Sequence, residues 1–225
     1  MRDHGKPAVY PLRMTALITL LLLTSLTGAL GLSWVEIDAG LMVLLNTEQD
    51  SAPSPFLNTL GAAIPIPVIS DESPLYWEAS LLLFSLYYQY DPLDDGSPRF
   101  TPAELERADT LWTLGLILDT RFGYTFTLSD TVELGGGAGL AAVFRLPIIA
   151  IEEGGRYRGK AFSYFLIRSV YPELEVTCRW RISDPLGLTF ALRSYFPVFH
   201  LWDGENTSFF DQTIIMANIG FRIFL

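Results

Sequence analysis

His200 is followed by Asp203, Glu205 and Ser208, side-chain types from which hydrolases assemble a base, an orienting acid and a nucleophile. Their spacing matches no nucleophile motif, so no catalytic residue is assigned and the chain is expected not to be an enzyme. Gly135-Gly136-Gly137-Ala138-Gly139 has the composition of a phosphate loop. No Lys-Ser or Lys-Thr follows it and it lies inside an alternating segment, so close backbone packing in a sheet is the expectation. Cys178 is the single cysteine, and with two histidines in the chain no Cys/His set has metal-ligand spacing. Cys178 reads as a small apolar side chain, and neither a metal nor an organic cofactor is expected.

The other candidates are charges that fall on alternate positions opposite an apolar parity. They are Glu36, Asp38, Glu78, Asp119, Arg121, Glu133, Arg145, Glu173, Glu175, Arg179, Arg181, Arg193 and Arg222. All the bases are arginine, whose planar fork pairs bidentately with carboxylates where water is scarce. Such a set can do one of two things inside a closed sheet. It can neutralise itself and fill the interior, or Arg121, Arg145, Arg179, Arg193 and Arg222 can contact anionic or amphipathic solutes along a narrow path. Nucleic acid is excluded as a partner, because 15 Lys plus Arg stand against 25 Asp plus Glu, for a net charge of −10.

The elements that must position these charges are strands. Apolar residues recur at every second position through 33–45, 111–128, 131–146, 170–182, 186–198 and 213–225. Segments 56–69 and 75–90 are weaker. The first carries Pro65 and Pro67, which remove ladder donors, and the second loses alternation around Leu81 to Phe84, as a bulge would cause. Connections alternate between short ones opened by Ser-Asp (Ser70-Asp71, Ser129-Asp130, Ser183-Asp184) and longer charged ones at 46–55, 91–110, 151–160 and 201–210. One helical turn or two are expected at 101–107, after Thr101-Pro102. Eight strands in one domain follow.

Residues 1–31 read as a signal peptide. Arg2, Lys6 and Arg13 precede an apolar run at 14–26, and small residues then allow cleavage after Ala29 or Gly31. The remaining 32–225 form the barrel.

The alternation fits a soluble cup or a transmembrane barrel, according to which solvent meets the apolar face. Three features favour lipid. Lys160 is the only lysine after the leader, whereas a water-facing wall is ordinarily rich in lysine. Trp112 and Phe122 stand ten residues apart in one strand, roughly 33 Å along it, or about 25 Å across a bilayer once tilted. The chain also ends on an apolar strand, Gly220 to Leu225, with Phe224 penultimate. In these respects the chain resembles the small eight-stranded bacterial outer-membrane proteins, and by length the OmpW type. That resemblance implies an antiparallel transmembrane barrel with short periplasmic turns and longer extracellular loops. It also implies outer-membrane lipid and the barrel-assembly machinery as partners, and passage of small hydrophobic or amphipathic solutes. A plugged structural barrel whose outer loops act in surface interaction is the alternative.

Overall fold

A strand with one apolar and one polar face needs a different environment on each side, and a sheet closed on itself supplies both without an unpaired edge. The computed structural model describes residues 32–47, 54–66, 68, 73–91, 96, 98–103, 110–150, 152–203 and 208–225, and it is a closed antiparallel barrel. The leader, Pro67, Ser70-Asp71 and Glu205 lie outside the described residues. The strands are β1 (Trp34–Leu44), β2 (Phe56–Pro65), β3 (Leu75–Tyr90), β4 (Phe100–Ala103), β5 (Thr110–Ser129), β6 (Val132–Ala150), β7 (Val170–Ser183), β8 (Leu186–Tyr195) and β9 (Ile214–Phe224). Eight make the wall in the order β2-β1-β9-β8-β7-β6-β5-β3, and the pairing of β2 with β3 closes it.

At one end the connections are tight. Asp130-Thr131 joins β5 to β6, with Ser129 Oγ accepting from the Val132 amide at 3.1 Å, and Asp184-Pro185 joins β7 to β8. At the other end, residues 152–169 before β7 form a 3-10 turn (Glu152–Tyr157) and helix α1 (Arg158–Ile167), and a second 3-10 turn (Val198–Leu201) follows β8. The helix is absent from the expectations because its apolar residues surround it. Ala161, Tyr164 and Phe165 are buried while Phe162, Leu166 and Ile167 are exposed, so no polar face marks a helical period.

Two sequence expectations are corrected. Residues 101–103 belong to β4 rather than to a helical turn, and residues 104–109 lie outside the described set. β4 pairs with β3 alone, and Pro102 is tolerated on this edge because a ladder amide is dispensable there. No bulge interrupts β3 between Leu81 and Phe84, since its register with β5 runs unbroken from Leu75 to Gln89. The alternation fades because both faces are apolar at that height. Leu82 and Phe84 point into the barrel while Leu81 and Leu83 are exposed outside.

That observation extends to the whole interior. Glu36, Asp38, Glu78 and Arg121 fill the half near the tight turns, whereas Met42, Leu82, Phe84, Leu111 and Met216 fill the half near the long connections. Helix α1 closes the second half by inserting Ala161, Tyr164 and Phe165. The exterior is apolar on every wall strand: Leu41, Leu60, Leu81, Leu118, Leu140, Val176, Leu192 and Ile219 are all at least 39% exposed.

Gly139 of β6 faces Arg121, and a Cβ there would lie 2.8 Å from Arg121 Cα and collide with the Thr120 carbonyl oxygen. Replacing Gly139 with Val should therefore lower the stability of the refolded protein by about 1–3 kcal/mol. Gly159 in α1 has nothing within 4 Å of its Cβ position, and Gly159→Ala should stabilise by about 0.5–1 kcal/mol. Urea unfolding midpoints of the two variants should move in opposite directions.

Candidate functional site

Of the thirteen charged residues expected to line the interior, the structure buries Glu36, Asp38, Glu78, Asp119, Arg121, Arg145, Glu173, Glu175, Arg179, Arg193 and Arg222. Glu133 and Arg181 are exposed, which corrects the expectation for both. They share the inward parity, but they sit beside the tight turns, where the wall ends and water replaces the interior. Arg181 there lies over the Phe224 ring at 4.6 Å.

Ten of the buried charges form one network. Glu78 of β3 is the hub, pairing with Arg179, with Arg222 at 3.4 Å and with Arg121 at 3.5 Å. Glu175 of β7 receives Arg193 at 2.7 Å and Arg121 at 3.0 Å. Arg222 reaches Glu36 at 2.8 Å, and Thr189 donates to the same carboxylate. Asp119 accepts from Arg121, from Ser80 at 2.7 Å and from the Tyr195 hydroxyl at 3.3 Å. Aromatic faces cover the ends of the set, with Arg222 over Trp34 at 3.6 Å and Arg179 over Tyr76 at 4.4 Å.

The two signs do not balance in this half. Carboxylates of Glu36, Asp38, Glu78, Asp119, Glu173 and Glu175 meet guanidinium groups of Arg121, Arg179, Arg193 and Arg222. The excess falls on Asp38 and Glu173, whose oxygens accept no hydrogen bond and stand 3.7 Å from Arg193 and Arg121 respectively. Sequence parity identified the charges but not the hydroxyl groups of Tyr76, Ser80, Thr189 and Tyr195 as their partners. Those four occupy the same parity, and their hydroxyl groups were the available signal.

β6 contributes no charge to the network, and its glycine run explains why the others fit. Gly137 leaves room for the Tyr76 hydroxyl, which would stand 2.8 Å from a Cβ, and Gly139 leaves room for Arg121. The run is a packing surface for the network, consistent with its place inside a strand.

Arg145 lies apart, in the aromatic half. It donates to the Tyr171 hydroxyl at 2.7 Å, and its guanidinium carbon is 5.8 Å from the Phe165 ring and 5.7 Å from the Tyr171 ring. At the same end His200 is enclosed. Its Nδ1 meets Asp203 Oδ2 at 3.0 Å and its Nε2 meets the Asp211 carbonyl at 2.9 Å, so the hydrogen on Nε2 is given to the backbone. Arg168, just after α1, reaches the same Asp203 oxygen at 3.4 Å. His200 thus ties the segment before β9 to α1, and the nitrogen that would act as a base in nucleophile activation is engaged.

The sequence matches no protein-family profile and no curated protein. Similar solved structures are small eight-stranded outer-membrane barrels. Neisserial surface protein A aligns at 11% identity and a TM-score of 0.48, over 85% of this chain and 96% of that one. Ail, the attachment invasion locus protein of Yersinia pestis, aligns at 8% identity and 0.42, over 85% and 95%. The N-terminal barrel domain of Pseudomonas aeruginosa OprF aligns at 12% identity and 0.41, over 85% and 96%.

Removing one partner from a buried ion network strands the others without water, which costs about 3–5 kcal/mol. Arg121→Met, which withdraws the cation shared by Glu78, Asp119 and Glu175 from a half already in excess of carboxylates, should lower unfolding stability by that amount. Glu133→Gln at the exposed turn end should leave the denaturation midpoint unchanged.

Proposed function

We propose that this chain is a bacterial outer-membrane β-barrel with a closed lumen, a scaffold that holds its helix-capped end at the membrane surface and performs no catalysis. The membrane setting is supported by the exterior. Large apolar side chains are exposed on all eight wall strands while the charges lie inside, the reverse of a water-soluble barrel. No described helix is long and apolar enough to cross a bilayer, and a closed barrel is a form in which strands can cross one. The leader at 1–31 supplies the export route, and outer-membrane lipid and the barrel-assembly machinery are the partners this reading requires.

The observation that carries the closed lumen is the continuity of its filling. The ion network occupies one half, the aromatic cluster the other, and α1 seals the second. An eight-stranded barrel is only wide enough for its own side chains, and a network that links six strands supports a lumen without a water-filled path. Interaction at the capped end is supported by Leu201, Trp202, Phe209 and Phe210, which are exposed beside the His200 segment.

A second reading is gated passage of small amphipathic solutes, as the OmpW resemblance implies. It draws on the interior polar atoms of Asp38, Thr59, Thr177 and Asn218, which have no hydrogen-bond partner and mark the least tightly tied part of the filling. The two readings separate in a planar bilayer. The refolded protein, 32–225, should insert, shown by heat-modifiable migration on a gel, and should give no discrete current steps. Reproducible unitary conductance would overturn the closed lumen in favour of passage.

A further inference from the structure

Arg145 is a buried cation that no described carboxylate neutralises. It is 2% exposed, and its Nε and Nη1 have no hydrogen-bond partner. The carboxylates of the neighbouring segment make no ion pair with it, although Asp211 is near enough to act on the Tyr88 and Tyr171 hydroxyls. Asp203 is held by His200 and Arg168, and Asp211 accepts from the Thr47 amide at 2.8 Å and the Thr47 hydroxyl at 3.2 Å. The Tyr88 hydroxyl, fully buried on the same inward face, stands beside the Arg145 guanidinium without a well-formed hydrogen bond to it. Tyr171 accepts from Arg145 Nη2 and retains its own proton to give.

We infer that Arg145, Tyr88 and Tyr171 form a binding site for one carboxylate group. Arg145 has only hydrogens to give and carries a charge, so the component that would compensate it is an anionic acceptor. A single guanidinium balances one negative charge, and a phosphate dianion would leave the second uncompensated in a low-dielectric surround. The guanidinium still has hydrogens on Nε and Nη1 to give, which a carboxylate oxygen can accept. The surroundings are apolar, with Leu86, Leu111, Val143, Phe165 and Phe199 in the same buried cluster, which suits the body of an organic acid better than a hydrated ion.

Phe165 brings α1 into the site as its cover, its ring 4.6 Å from that of Tyr88. The excess of carboxylates in the other half of the barrel repels an anion, so this position is a terminus for the ligand and not a station on a path through the membrane. The inference therefore stands whether or not the barrel conducts.

The test is a thermal-unfolding titration of the refolded protein in micelles of an uncharged detergent at pH 8, with sodium acetate and sodium decanoate as separate probes. A saturable rise in melting temperature is expected, abolished in Arg145→Met and retained in Arg181→Gln, whose arginine is exposed. A rise with both probes identifies the free carboxylate as sufficient; a rise with decanoate alone identifies an amphiphile. Should Arg145→Met fail to refold, Tyr88→Phe carries the test. Loss of one hydroxyl donor should raise the half-saturating concentration by about fivefold. No rise with either probe, or a rise that persists unchanged in Arg145→Met or in Tyr88→Phe, would overturn the site and leave the aromatic rings as the only compensation for Arg145.

Discussion

Burying charge in a narrow barrel is the constraint on which the rest of this structure depends. A guanidinium withdrawn from water costs several kcal/mol, and it is tolerated only where carboxylates and hydroxyl groups take up its hydrogens. Glu78 is central to this, since Arg121, Arg179 and Arg222 reach it from three different strands. Such a hub fixes register as well as charge. Sliding one strand by a single residue would turn its charged parity outward against the apolar exterior. The choice of arginine follows from the same constraint, because one planar fork can serve two carboxylates, as Arg121 does for Glu78 and Glu175.

The division of the interior into a charged half and an aromatic half shapes the molecule along its axis. The charged half needs space for long side chains, and β6 provides it with glycine at 135, 137 and 139. The aromatic half is wider in demand, because β3, β5 and β6 continue beyond the point where β7 begins. β6 pairs with β7 only as far as Ala142, and α1 covers the face that β7 leaves bare. The helix is therefore part of the filling of the barrel. Its link through Arg168 to Asp203 and His200 couples it to the segment that leads into the last strand.

Strand count, parity and the inward charges were legible in the sequence because alternation is a local property. The axial change was not. The stretch Leu81 to Phe84 read as a bulge, although Leu82 and Phe84, with Ile214 and Met216 of β9, are the inward parity of a second, apolar layer. Parity alone also misplaced Glu133 and Arg181, since it gives the side of the wall and not the height on it. Helix α1 was hidden by its composition, with apolar residues on both faces and no cap. The separation of Arg145 from the other arginines was hidden for a similar reason. Its isolation depends on which residues the β5 and β6 registers bring to the same height.

The central claim is that the apolar parity meets lipid while the charges close the interior. Cys178, on the outward parity of β7 between Val176 and Trp180, provides a native site to test it. A nitroxide attached there in the protein reconstituted into phospholipid bilayers should show high accessibility to oxygen and low accessibility to a water-soluble nickel chelate. The opposite ranking, with the chelate reaching the label freely, would place this face in water and contradict the account.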